Sequence, residues 1–67
     1  MKNRIRVARA EIRMTQQQLA DAAGVSRQTI NAIEGGKFVP STLLALKIAR
    51  IFSKAVEDLF ELEDRDF

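Results

Sequence analysis

Thr15–Lys37 reads TQQQLADAAGVSRQTINAIEGGK, a pattern that predicts two short amphipathic helices joined by a glycine turn. Thr15 suits an N-cap, because its hydroxyl accepts from a backbone N–H that the first helical turn leaves unpaired. Gln18 can return the bond to complete a capping box, and Met14 with Leu19 forms the matching hydrophobic staple. Ser26 opens the next helix in the same way, with Val25 and Ile30 as its staple, although Thr29 is a poorer box partner than Glu or Gln. Two starts only eleven residues apart force the first helix to be short. Leu19, Ala20 and Ala23 give it one apolar face, and Ile30 and Ile33 give the second a narrower one. Gly24 lies between them, where a sharp turn needs a left-handed backbone. Ala20 is small where the two helices must cross closely. This spacing fits a helix-turn-helix.

Outside this unit, Met1, Ile5, Ala8 and Ile12 recur at helical spacing and predict a first helix from about Asn3 to Arg13. The central helices are expected at about Gln16 to Ala22 and Arg27 to Glu34, the latter ended by Gly35 and Gly36. After a loop through Pro40, Ser41 caps a fourth helix reaching about Phe52, with Leu44, Ala45, Ile48, Ala49 and Phe52 on its buried side. A fifth, from about Val56 to Phe60, adds Val56, Leu59 and Phe60 to the core. The expected class is all-α, five helices in one domain over residues 1–60, followed by an acidic tail at 61–67. Phe60–Glu63 alternates with a period of two, so a short C-terminal strand and a frayed tail both stay open.

Charge is distributed unevenly. The net value of +2 over 67 residues conceals ten Lys or Arg against three acids in residues 1–54, and six acids against one Arg in residues 55–67. A basic body suits a phosphate backbone, and an acidic end is expected to turn away from it. For Lys2, Arg4, Arg6 and Arg13, plain solvation of helix faces is an equal alternative. With no Cys and no His, disulfides and the usual zinc ligands are absent, so a core this small points to oligomerisation for added stability. No apolar run approaches the ~20 residues that span a bilayer. No metal or other cofactor is expected, and the protein is expected in the cytoplasm, without a membrane partner.

Leu43, Leu46 and Ile51 extend the apolar arc of the fourth helix beyond what one core needs, and Leu62 and Phe67 lie in the acidic tail. These five are the candidate contacts of a homodimer built from the C-terminal third. At the start of the third helix, Arg27, Gln28 and Asn31 are polar, exposed by the pattern, and of the types that hydrogen-bond base edges in a major groove. An enzyme finds little support: there is no His, Cys, Tyr or Trp, and no base to activate the serines.

The segment resembles the helix-turn-helix of the Cro and phage-repressor family, the xenobiotic-response-element type of regulator. Gln16, Ala20, Gly24, Ile30, Ile33 and Glu34 fall on its pattern, which continues through SRQTINAIEGGK, Pro40-Ser41, Leu46–Ala49 (LKIA) and Glu57–Phe60 (EDLF). The likeness covers nearly the whole chain. It implies a lambda-repressor-like fold and a prokaryotic or phage transcriptional regulator on the nucleoid, most simply a repressor binding a palindromic operator on double-stranded DNA. It places base readers at Arg27, Gln28, Asn31 and Ala32, the last able only to touch a thymine methyl. It places phosphate contacts at Gln16, Thr29 and Lys37 and at the backbone N–H groups near Gly35 and Gly36, with Gln16 also bracing the recognition helix. Arg9 and Glu34 occupy the positions of a partly buried structural ion pair. A protein-interaction or antitoxin-like module on the same fold is the alternative, and a regulatory protein partner fits either. Three departures from the pattern stand out: Gly35 replaces a longer polar residue, Val39 a turn-former, and Ser53-Lys54-Ala55 a Gly followed by a cap Ser.

Overall fold

The computed structural model describes every residue, Met1–Phe67. Five helices and one small sheet follow in the order β1 (Lys2–Asn3), α1 (Ile5–Glu11), α2 (Gln16–Ala23), α3 (Arg27–Glu34), α4 (Thr42–Phe52), α5 (Val56–Leu59) and β2 (Phe60–Glu61), with a last 3-10 turn at Asp64–Asp66. The mostly helical architecture is the expected one. A single apolar cluster joins all five helices: Ile5, Leu19, Ile30, Ile33, Ile48 and Leu59 are each buried almost completely. Burying a side chain of that size contributes about 1.5 to 3 kcal/mol. Ala20 is fully buried, and α2 and α3 pack directly on one another.

The caps explain most of the boundaries. Thr15 Oγ1 accepts from the Gln18 N–H at 3.0 Å and Gln18 Oε1 accepts from the Thr15 N–H at 2.9 Å, a complete capping box. Ser26 and Ser41 each accept from the backbone N–H three residues on, at 3.1 and 3.2 Å. Gly24 ends α2 at φ +74° with nothing within 4 Å of where a Cβ would stand. Its requirement is therefore torsional and not one of space.

The N-terminus differs from the expected helix over Asn3–Arg13. Lys2 and Asn3 form β1, antiparallel to β2 with Lys2 opposite Glu61 and Asn3 opposite Phe60. Asn3 uses its side chain as a bracket: Oδ1 accepts from the Ile5 N–H at 3.3 Å while Nδ2 donates to the Ile33 carbonyl at 2.8 Å, at the end of α3. The Arg4 N–H then donates to the Leu59 carbonyl at 2.8 Å. These distant partners hold residues 2–4 out of the helix. At its other end α1 stops at Glu11, because Arg13 turns left-handed at φ +55°. Ile12 is consequently 54% exposed, off the packed face that Ile5 and Ala8 form. Of the residues assigned to the buried sides of α4 and α5, Ala45 and Val56 are only partly buried.

The acidic end folds back on the chain and is not frayed. Glu61 lies 4.0 Å from Lys2 and 3.7 Å from Arg4, and the Met1 ammonium stands 3.0 Å from Glu63 and 3.1 Å from Asp66. Hydrogen bonds and charges from the two carboxylates raise the ammonium's pKa against a smaller opposing effect of burial. Lys2 and Arg4 thus face tail carboxylates. Arg13, Arg27, Lys37, Lys47 and Arg50 have no ion-pair partner.

At α5 the N-cap is Ala55, which has no side-chain oxygen to offer, although the Asp58 carboxylate accepts from its N–H at 3.3 Å. Ala55→Ser supplies the missing half of a capping box and is expected to raise stability by about 1 kcal/mol, measured as a shift of the urea midpoint at unchanged slope.

Candidate nucleic-acid interface

α3 is held as a rigid bar by its two ends. At the N-terminus Ser26 Oγ caps the Thr29 N–H, and the two hydroxyls stand 3.0 Å apart. At the C-terminus Gly36 adopts φ +76°, the Gly36 N–H donates to the Ile33 carbonyl at 3.0 Å, and the Lys37 N–H donates to the Ala32 carbonyl at 2.9 Å. That pair of bonds is a Schellman closure. Gly35 stays right-handed, at φ −78°, and its N–H donates to the Asn31 carbonyl at 3.0 Å. The backbone donors expected to meet phosphates near Gly35 and Gly36 are therefore already engaged in ending the helix. At this end of α3 the exposed Lys37 side chain is the uncommitted cation.

Along the exposed side of α3, Arg27 and Gln28 make no hydrogen bond or ion pair within the protein, and Asn31 is exposed beside them. Ala32 is half-buried. Gln16, from the first turn of α2, joins Arg27, Gln28 and Asn31 around one open cavity of about 220 Å³ with no apolar residue in its lining. Four polar side chains from the two helices thus converge on a single concave surface. Thr29 is half-buried and partly occupied by the cap of its own helix.

Behind this surface lies the ionic centre. The Arg9 guanidinium grips Glu34 in a fork, Nε to Oε2 at 2.6 Å and Nη2 to Oε1 at 3.1 Å, and Nη1 donates to the Met14 carbonyl at 2.9 Å. Gln16 Nε2 donates to Glu34 Oε1 at 3.0 Å and to Asn31 Oδ1 at 3.2 Å. Arg6 adds a longer contact of 3.6 Å from the solvent side. The Glu34 side chain is 1% exposed and that of Arg9 is 14%. Burial pushes the Glu34 carboxyl upward, but hydrogen bonds from Arg9 and Gln16, with the charges of Arg9 and Arg6, outweigh it and hold the pKa below its ordinary value. A carboxylate at a helix C-terminus opposes the helix dipole, so this one depends on its cations. The direct tie from Gln16 to Asn31 was not legible in sequence, where the two stand fifteen positions apart.

A second surface lies on the C-terminal half. Leu43, Leu46, Leu62 and Phe67 are exposed, whereas Ile51 packs partly buried against the core. Leu46 lines an apolar groove of about 470 Å³ with Met1, Val39, Pro40, Ala45, Val56 and Phe60. Val39, 60% exposed, stands in this groove at the turn position where the sequence departs from the family pattern. No helix of the structure is long and apolar enough to cross a membrane.

Comparison with known proteins agrees with this construction. Residues 5–59 match the family described as helix-turn-helix. The chain is 48% identical over 66 residues to YgzD, an uncharacterised HTH-type transcriptional regulator of Bacillus subtilis strain 168, covering 98% of this chain and 100% of that protein. It is 53% identical over 64 residues to an uncharacterised HTH-type transcriptional regulator of Methanocaldococcus jannaschii, covering 96% and 97% of the two chains. Another from Archaeoglobus fulgidus is 50% identical over 66 residues, covering 98% and 94%. A matched turn between α2 and α3, a polar face on α3 and relatives matched over nearly their full length agree: the chain belongs to the helix-turn-helix family of small DNA-binding transcriptional regulators.

Proposed function

We propose that the protein is a repressor that binds a palindromic operator as a homodimer, on the nucleoid in the cytoplasm of a prokaryote or its phage. The observation that carries this reading is the exposed side of α3, where Arg27 and Gln28 have no partner within the protein. A long-chain guanidinium and a carboxamide left free on a helix that fits the major groove are the groups that recognise base edges there. Arg27 pairs with guanine and Gln28 with adenine, while Asn31 and the methyl of Ala32 complete the contact. Lys37 holds a phosphate, and Thr29 and the Gln16 edge of α2 lie against the backbone of the duplex. A two-fold axis through the Leu46 face sets two α3 helices about 34 to 36 Å apart, one turn of DNA.

Selection of bound duplexes from a randomised library at near-physiological salt tests this reading. Enrichment of a two-fold symmetric site supports it. Binding without enrichment replaces it with an architectural role, and no retention favours a protein-interaction module, with or without an antitoxin-like partner.

Two substitutions separate specificity from affinity. Gln28→Ala is expected to relax discrimination at one base pair of each half-site, weakening binding to the selected site by roughly 1 to 3 kcal/mol. An unchanged base preference removes Gln28 from the reading set. Lys37→Ala is expected to weaken all duplexes about equally and to flatten the dependence of log K on log salt by about one unit, as read by fluorescence anisotropy across a salt series.

A further inference from the structure

Hydrogen-bond polarity runs in one direction from the buried ion pair to the DNA-facing side of α3. A guanidinium only donates and a carboxylate only accepts, so with Arg9 clamped on Glu34 the remaining bond to Glu34 Oε1 must come from a proton of Gln16. This settles which end of the Gln16 carboxamide points inward. Its nitrogen has one further proton, and the atom 3.2 Å away on Asn31 must then be the oxygen. Asn31 is left with both protons of Nδ2 uncommitted. Gln28 has no partner in the protein and is free to turn either end of its amide outward. Asn31 is not.

We infer that Gln16 is a positioning residue for base specificity: together with Arg9 and Glu34 it fixes the carboxamide of Asn31 so that this side chain addresses DNA as a hydrogen-bond donor. The inference rests on the proposed reading of α3 as the recognition helix. A fixed donor suits the acceptors on a major-groove edge, N7 of either purine, O6 of guanine or O4 of thymine, and meets the amino group of cytosine donor to donor. The base excluded at the Asn31 position is cytosine. The relay gives the buried ion pair a part in specificity in addition to its part in stability.

The test is library selection performed in parallel on the parent protein, Gln16→Met, Asn31→Ala and Asn31→Asp, each first shown to be folded by circular dichroism. Asn31→Ala identifies the base pair concerned as the one whose profile it changes. In the parent, cytosine is expected to be depleted there roughly tenfold or more. Gln16→Met keeps the Arg9–Glu34 pair but removes the relay, so the depletion should fall toward parity at that position alone, with the base preferences at the other positions unaltered; any affinity lost with a Gln16 phosphate contact is shared by every duplex and does not enter the base profile. Asn31→Asp keeps an oxygen for Gln16 and offers only acceptors outward, so cytosine should become favoured. Retention of full cytosine exclusion in Gln16→Met overturns the relay, as does a loss spread evenly over every position, the mark of a general loosening of α3. If the parent enriches no sequence, the recognition reading itself falls and the relay falls with it.

Discussion

Replacing Glu34 by alanine is expected to lower the stability of the fold by about 3 to 5 kcal/mol. The magnitude follows from what would be left behind. Arg9, 14% exposed, would keep its charge with no counter-ion, and the Gln16 amide would lose the acceptor that holds it against α3. Domains of this size have about 0.05 to 0.15 kcal/mol of stability per residue, so the loss would take a large part of the total. Urea unfolding followed at the helical circular-dichroism band measures it. A variant that unfolds with the parent but no longer binds DNA would show that Glu34 acts at the interface and not in the frame. The pH dependence has a definite sign. Because the folded pKa is lowered, the contribution of Glu34 is complete above the ordinary glutamate value and is lost as pH falls through the folded one. Glu34→Gln should therefore flatten the acid limb of the stability curve.

Leu46→Asp is expected to produce the largest change in DNA affinity of any substitution outside α3. In the proposed homodimer the second recognition helix binds at an effective concentration set by the first, an advantage of about 10² to 10⁴ that disappears with the dimer. Leu46 is 55% exposed and lines the apolar groove with Val39 and Pro40, so a carboxylate there opposes burial against a second copy without entering the monomer core. Sedimentation should show a shift to monomer, and binding should weaken on a duplex carrying two half-sites while remaining unchanged on a single half-site. A variant that still sediments as a dimer moves the interface elsewhere, with Leu43, Leu62 and Phe67 the remaining exposed candidates.

The parts of the fold that sequence reading captured are those decided within one helical turn. Ser26 and the Gly35-Gly36 pair bound α3 at the residues expected, Arg27 to Glu34, and Thr15 opens α2 through the anticipated box. The parts it missed are decided across the chain. Asn3 belongs to a strand because Phe60 pairs with it and the Ile33 carbonyl takes its side-chain proton, and no local periodicity carries that information. Arg13 ends α1 with a left-handed backbone that arginine does not advertise. Ser53 does the same after α4, at φ +54°, where the resemblance led one to look for glycine.

In the candidate site, Arg27, Gln28 and Asn31 are all exposed, and they could be named as candidates from residue type and position alone. Their hydrogen-bond directions could not, because these depend on a carboxylate on one helix and an amide on another meeting in three dimensions. At Gly35 and Gly36 the limit is of a related kind. Glycine permits close approach by a ligand, but it also permits a helix to close on itself, and here the closure has taken the protons.

The two-stranded sheet has a consequence for synthesis. Asn3 tethers the Ile33 carbonyl near the end of α3, but its own strand is completed only by Phe60 and Glu61. In a chain synthesised from its N-terminus, β1, α2 and α3 are all made before residues 60–61. Until then β1 has no strand to pair with. A polypeptide ended before residue 60 therefore lacks the pairing that fixes Asn3 at the end of α3.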